Sequence, residues 1–291
     1  MKFGETIKQI RTDKNLTQTQ LSEGILARNH LSQVENNNYF PSYDKFFSLL
    51  DRLNVTFEEF LFIQNDKKVH FKQRIRSQIA EAANLNDIKK LEDLAIAAKD
   101  LHEQTKNITY YHYMLISKAL VTYNINHTVS DDMVKFVTPI KEYLLGMDNW
   151  YLYELRLFSN IIFALTVDEA LLFSRRALKR LDNFRYFTEY QHTEQHIYHN
   201  LSRLCLEFED FGNAKMFAEK AIDIANKYTL VYEKVCSEMN HAIALIKLGQ
   251  DAYEIIKKKM LIIDYLEFDN LYEHYMIVLK KFNIDVKLLN A

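Results

Sequence analysis

The chain has 291 residues, of which 48 % are hydrophobic and 13 % aromatic, enough to bury between one and three cores. Five glycines and two prolines leave little material for tight turns, so strand-rich folds are excluded and an all-α fold is expected. The net charge of −2 selects no partner, and no uncharged apolar run reaches the ~18 residues of a membrane span.

The opening MKFGETIKQIR is polar with helical periodicity and reads as part of the fold, with no secretory leader. Residues 1–63 break into five short helical pieces. Ile7 and Ile10 mark the inward face of the first, and Thr17 caps a second that turns Leu21 and Ile25 inward. Leu31 and Val34, at i and i+3, mark the third. Pro41-Ser42 halts the chain and caps a fourth, which carries Phe46, Phe47, Leu49 and Leu50. Thr56 with Glu59 three residues on is a capping box for the fifth, ending at Phe60 and Leu61. The polar QNDKKVH at 64–70 reads as a linker, leaving 71–291 as a second domain.

From residue 70 onward the periodicity predicts helices over 70–83, 87–104, 108–124, 130–147, 149–165, 168–182, 187–209, 212–227, 230–248, 250–264 and 267–282. Asn160, Asn200 and Asn240 recur 40 residues apart. Neighbouring helices carry small residues at i, i+4 and i+7, Ala170/Ser174/Ala177 and Ala214/Ala218/Ala221, and these sets lie 44 apart. The repeat is therefore degenerate, and it predicts a right-handed superhelix of tetratricopeptide-like hairpins with a concave face suited to an extended ligand.

In LTQTQLSEGILARNHLSQVENN two short helical patterns are separated by a few residues, the geometry that lays a helix in the DNA major groove. Thr17 and Gln18 open the first of them, where free N–H groups and the positive dipole end favour a phosphate. Arg28, Asn29, His30 and Gln33 avoid the Leu31/Val34 face of the second. Arg suits guanine O6/N7, and Asn and Gln suit adenine N6/N7. Charge gives no help: residues 1–63 hold seven Lys/Arg and eight Asp/Glu, a net −1. Lys67, Lys68, Lys72, Arg74 and Arg76 lie just beyond and could add phosphate contacts.

With IKQIR, LTQTQLSEGI, LSQVEN and FPSYDKFFSLL, the N-terminal segment resembles the XRE/Cro type of helix-turn-helix, a five-helix domain. The resemblance implies a buried structural pair between Arg11 and Glu35. Where that group often has Gly after the recognition helix, this chain has Asn36-Asn37-Asn38, and Asn also tolerates the left-handed turn. The run MDNWYLYELRLFSNIIFAL, with EEFLF at 58–62, is similar to the Rgg/GadR/MutR regulators, over nearly the whole chain. That similarity implies a cytoplasmic homodimer that binds double-stranded operator DNA and takes a short signalling peptide on its repeat domain. It also implies peptide contacts at Asn160 and Asn200, which the repeat extends to Asn240. Some members carry a Cys able to crosslink the dimer where this chain has Tyr43.

The residues themselves place Tyr153, Arg156 and Asn160 on one face of a largely apolar helix. Asn both donates and accepts, so a column of Asn can pair with a peptide backbone, and Arg156 can hold a carboxylate at two points. The same Asn side chains could equally link neighbouring hairpins. His192, His196 and His199 with Glu189 share a face and read as a solvated or ligand-facing stripe; no metal or cofactor is expected. Cys205 and Cys236 form no CxxC pair, fit a reducing cytosol and read as packing residues. With no phosphate-cradling glycine pattern and no nucleophile–base spacing, an enzyme is not expected. The alternatives are a regulator without a peptide ligand and a helical-repeat scaffold for protein partners.

Overall fold

Sixteen α-helices and one short 3-10 turn make up the regular structure among the described residues, with no strand. The structure is a computed structural model and describes residues 1–68, 71–126, 130–184 and 186–285. The chain divides into two compact units, Met1–Ala80 and Glu81–Ala291, and the division falls inside the sixth helix. Of the segment expected as a linker, Gln64 ends a helix, 65–68 form turns, and Val69 and His70 lie outside the described residues, as do 286–291 of the expected second domain.

The first unit contains α1 (Phe3–Asp13), α2 (Gln18–Ser22), α3 (Arg28–Glu35), α4 (Tyr43–Leu53) and α5 (Phe57–Gln64), and it includes most of α6 (Phe71–Asn84). Ile7, Ile10, Leu21, Leu31, Leu49, Leu50, Leu53 and Phe60 are buried in one cluster, to which each of the first five helices contributes. Burying each large side chain contributes about 1.5–3 kcal/mol, which short helices such as α2 need because they are unstable alone. The caps are mostly where the sequence puts them. Thr17 accepts from Gln20 N, and Gln20 reaches back to Thr17 N at 2.8 Å; Thr56 and Glu59 do the same for α5. Ser42 precedes α4, but its side chain makes no capping hydrogen bond.

Two features seat α3. A Cβ on Gly4 would meet Val34 O at 1.8 Å, so only glycine lets α1 approach the end of α3 this closely. Asn37 takes the left-handed conformation (φ 60°) that the Asn-rich turn allows, and its Oδ1 accepts from Gly4 N at 2.7 Å.

The second unit continues with α7 (Ile88–Thr105), α8 (Ile108–Asn126), α9 (Asp131–Gly146), α10 (Leu152–Ile161), α11 (Val167–Asp182), α12 (Thr188–Glu207), α13 (Phe211–Tyr228), α14 (Val231–Lys247), α15 (Tyr253–Tyr265) and α16 (Asp269–Lys281). Successive helices pack on one another from α7 to α10 and from α11 to α16, while α10 also packs on α8, α12 on α10 and α14 on α12. The even-numbered helices from α8 to α14 therefore form one continuous layer, backed by the odd-numbered ones between them. This is the tetratricopeptide-like arrangement that the sequence repeat predicts. Ala170, Ser174 and Ala177 on α11 and Ala214, Ala218 and Ala221 on α13 are buried, so their small side chains sit where helices meet. The 44-residue spacing of those sets has a simple origin. Helix α10 ends one residue after Asn160 and passes into the 3-10 turn Ile162–Ala164, whereas α12 runs seven residues past Asn200.

Candidate functional site

Helix α3 puts Leu31 and Val34 in the core, with no exposure, and leaves Arg28, Asn29, His30 and Gln33 exposed on the opposite edge. Asn29 Oδ1 accepts from His30 N at 2.9 Å at the start of the helix, and the His30 ring lies 5.9 Å from that of Tyr39. The edge thus offers a guanidinium, an imidazole and two carboxamides toward solvent.

Beneath it lies the Arg11–Glu35 pair. Arg11 Nε and Nη2 donate to Glu35 Oε1 and Oε2 at 2.6 and 2.9 Å, and Nη1 donates to Leu16 O at 2.7 Å. Both residues are buried, and the hydrogen bond to Glu35 raises the Arg11 pKa above its ordinary value. Gln18 does not stand free at the helix start, as the phosphate assignment expects. Its Nε2 donates to Glu35 Oε2 at 2.9 Å, so its amide joins the pair and fixes α2 against α3. Thr17 is exposed, but its hydroxyl is engaged in the cap of α2. Sequence reasoning missed Arg52, whose Nη1 reaches Gln20 O and Leu21 O at 3.4 Å and also Glu23 O, closing the C-terminal end of α2. An arginine 32 residues away from its target leaves no local signal.

In the second unit, Tyr153, Arg156 and Asn160 lie on α10, Asn200 on α12 and Asn240 on α14, all in the even-numbered layer. Asn160 is exposed. Asn200 is half-buried and donates from Nδ2 to Ser159 O at 3.0 Å, so it joins α12 to α10. Asn240 departs from the expectation of an open column, because it is buried, with only 4 % exposure. Arg156 has a partner already, Glu189 Oε1 at 3.3 Å. The Tyr153 hydroxyl lies 2.7 Å from Nδ1 of buried His112. Burial pushes His112 down to about 4, so its ring is neutral, and its Nδ1 and the tyrosine hydroxyl share one hydrogen whose donor is set by the ring tautomer. Burial likewise raises the Tyr153 hydroxyl well above its usual range.

The rest of the Trp150–Asn160 run is structural. Trp150 is buried and donates from Nε1 to Leu144 O at 3.1 Å. Glu154 caps α10 by accepting from Tyr151 N at 2.9 Å, and it also accepts from the Tyr143 hydroxyl at 2.8 Å.

The histidine stripe of α12 faces Glu233 of α14, within 4.0 Å of His192 and His196. Among the described residues no group of three or more His, Cys, Asp or Glu is arranged to hold a metal ion. Cys205 and Cys236 are buried free thiols, and burial raises both above the ordinary thiol range.

A sequence profile described as the C-terminal domain of the HTH-type transcriptional regulator Rgg matches residues 95–277, more than half of the chain. The chain belongs to the Rgg family of transcriptional regulators. A helix-turn-helix profile covers residues 7–60, so both parts of an Rgg-type regulator are present, and the family is one of regulators, not enzymes. Solved structures share the fold at low identity. A candidate transcriptional regulator from Listeria monocytogenes aligns with a TM-score of 0.80 and 22 % identity over 96 % of each chain. The SHP pheromone receptor Rgg2 of Streptococcus dysgalactiae aligns at 0.73 and 20 %, over 96 % of this chain and 99 % of the receptor. PlcR of Bacillus thuringiensis, solved with the peptide PapR7 and DNA, aligns at 0.70 and 17 %, over 94 % and 98 %. Among the described residues of this Rgg-family chain, no helix is long and apolar enough to cross a membrane.

Proposed function

We propose that this Rgg-family regulator is a cytoplasmic homodimer that reads a two-part operator with the exposed edge of α3 and is gated by a short peptide held on the even-numbered helix layer of its second unit. The observation that carries the DNA part is the division of α3 into a seated Leu31/Val34 face and an open Arg28/Asn29/His30/Gln33 edge. In the major groove Arg28 would take guanine, and Asn29 and Gln33 adenine. The residues beneath the edge would hold its register. With net charge −1 over residues 1–63, two copies and the lysines and arginines of 67–76 supply the phosphate contacts that one copy lacks.

On the peptide side, Asn160 is open to both donate and accept, and Asn200 keeps Oδ1 as an acceptor while its donor holds Ser159. Arg156 would bind a peptide carboxylate by exchanging it for exposed Glu189. Asn240 joins the site only if α14 moves, since its side chain is buried. Support for a peptide comes from the shared fold with the SHP pheromone receptor Rgg2 and with PlcR, solved with the peptide PapR7. The ligand acts by binding one curvature of the helix stack more tightly than another, so that the dimer presents its two α3 helices at one spacing.

Calorimetry with synthetic hydrophobic peptides encoded by small reading frames beside the gene tests the site. Asn160→Ala is expected to weaken binding about fivefold or more, the loss of one to two hydrogen bonds; unchanged affinity removes Asn160 from the site.

A further inference from the structure

Along α12 the residues His192, His196, His199 and Arg203 follow one another at i, i+4, i+7 and i+11, one row on the surface of the helix. Arg203 closes this row and stands three residues after Asn200, so the two side chains are neighbours on the same helix. The arginine is half-buried.

A guanidinium is rarely taken out of water without a carboxylate beside it, because the lost hydration is otherwise not returned. Arg156 on α10 obeys that rule, with Glu189 Oε1 at 3.3 Å. Arg203 does not: among the described residues its side chain has no ion pair and no hydrogen bond. The carboxylates on either side of it are engaged elsewhere. Glu207, one turn farther along α12, pairs with Lys281 of α16. Glu233 of α14 lies 3.6 Å from His192 Nδ1 and 3.9 Å from His196 Nε2.

The groups that share this corner of α12, α14 and α16 are neutral. His199 Nδ1 lies 3.2 Å from Ser237 Oγ of α14, which leaves its Nε2 for another partner. On α16 the His274 ring lies 5.4 Å from that of Tyr275, whose hydroxyl donates to Cys236 O of α14 at 3.2 Å. Burial first and the Arg203 charge second push His199 down to about 3, and the same two causes lower His274. The charge of Arg203 thus reaches rings on two helices, and Glu233 opposes it at His199 only as the smallest influence there. Each neutral ring carries one N–H that an anion can accept from.

We infer that Arg203 is a carboxylate-binding position of the helix layer, its guanidinium holding the anion at two points beside the rings of His199 and His274.

This deepens the peptide proposal and rests on it for the identity of the ligand. Arg156 must release Glu189 before it can take a carboxylate, whereas Arg203 has no partner to release. The anion is a carboxylate of the peptide, either its terminus or an acidic side chain, since both present the same pair of oxygens.

The test uses the full-length chain with no signalling peptide, at constant ionic strength and about pH 7.5, where both rings are neutral. Thermal midpoints of wild type and Arg203→Gln are followed in about 50 mM N-acetyl-leucine, N-acetyl-glutamate α-amide or N-acetyl-leucinamide. These probes offer a terminal carboxylate, a side-chain carboxylate and no charge. At least one carboxylate is expected to raise the wild-type midpoint by about 2 °C, the larger rise naming the source, while the neutral amide raises it by less than about 0.5 °C. In Arg203→Gln the carboxylate rise is expected to shrink to the level of the neutral amide. No rise in wild type, or an equal rise in both proteins, overturns the site. If Arg203→Gln fails to fold, Arg203→Lys decides: it keeps the charge but loses the planar fork, and should show less than half of the wild-type rise. An undiminished rise in that variant contradicts the proposal. A signalling peptide that binds wild type and Arg203→Gln equally removes Arg203 from the site and leaves the peptide proposal standing. A carboxylate response without binding of any peptide leaves Arg203 standing and removes the peptide.

Discussion

Glu35 is the residue on which the geometry of the first unit turns. It accepts from Arg11 twice and from Gln18 once, and so ties α1, α2 and α3 together at one buried point. Removing one partner of such a pair strands a buried charge, so Arg11→Met is expected to destabilise the first unit by about 3–5 kcal/mol. Arg11→Met with Glu35→Leu should cost less than Arg11→Met alone, because no charge is left behind. Urea denaturation of the four members of the cycle checks this; strictly additive losses would contradict the pairing.

Tyr153 is a second case at this scale. Its hydroxyl satisfies buried His112, so Tyr153→Phe is expected to cost about 1–3 kcal/mol with no ligand present, measured by the same denaturation. An effect on peptide affinity alone, with stability intact, would instead make Tyr153 a ligand contact and nothing more.

At the scale of elements, Gly4 decides how α1 lies against α3. Gly4→Ala would put a methyl group on Val34 O, so α1 must move. The expected loss is at least about 2 kcal/mol, with specific DNA binding weakened in parallel because α3 loses its seat; a thermal melt and a band shift on the same variant check both.

Most helices were legible in the sequence to within a few residues because periodicity and caps are local, although the run expected over 149–165 is a helix only from Leu152 to Ile161. Thr17-x-x-Gln20 and Thr56-x-x-Glu59 announce α2 and α5, and the buried and exposed sides of α3 follow from Leu31 and Val34. Long-range partners were not legible. Nothing in the local sequence says that Gln18 turns toward Glu35, that Arg52 closes α2, or that His112 sits under Tyr153. The 40-residue spacing correctly places Asn160, Asn200 and Asn240 on alternate helices, yet it cannot tell exposed Asn160 from buried Asn240, because exposure depends on what the next hairpin covers.

For the whole molecule, burial holds two histidines neutral, His112 at about 4 and His199 at about 3. In the unfolded chain each takes up a proton near pH 6.5. Between that value and about pH 4 the unfolded state therefore binds up to two more protons than the folded state, and stability falls as pH falls through this window. Each contributes up to one proton to the slope, about 1.4 kcal/mol per pH unit, His274, also lowered by burial, adds to it, and His199→Gln should reduce the slope by up to one proton. Denaturation midpoints between pH 7 and pH 4.5 check this.

The proposed reading of DNA rests on the open edge of α3, and a band shift at fixed salt with the DNA upstream of its own gene tests that proposal most directly. Wild type should bind this fragment well above unrelated DNA. Arg28→Ala/Gln33→Ala should lose at least about thirtyfold of that specific affinity, since each base contact contributes about 1–3 kcal/mol. Its weak binding to unrelated DNA and its melting temperature should stay unchanged. A double variant that melts like wild type and still binds the upstream fragment with wild-type affinity would contradict the account.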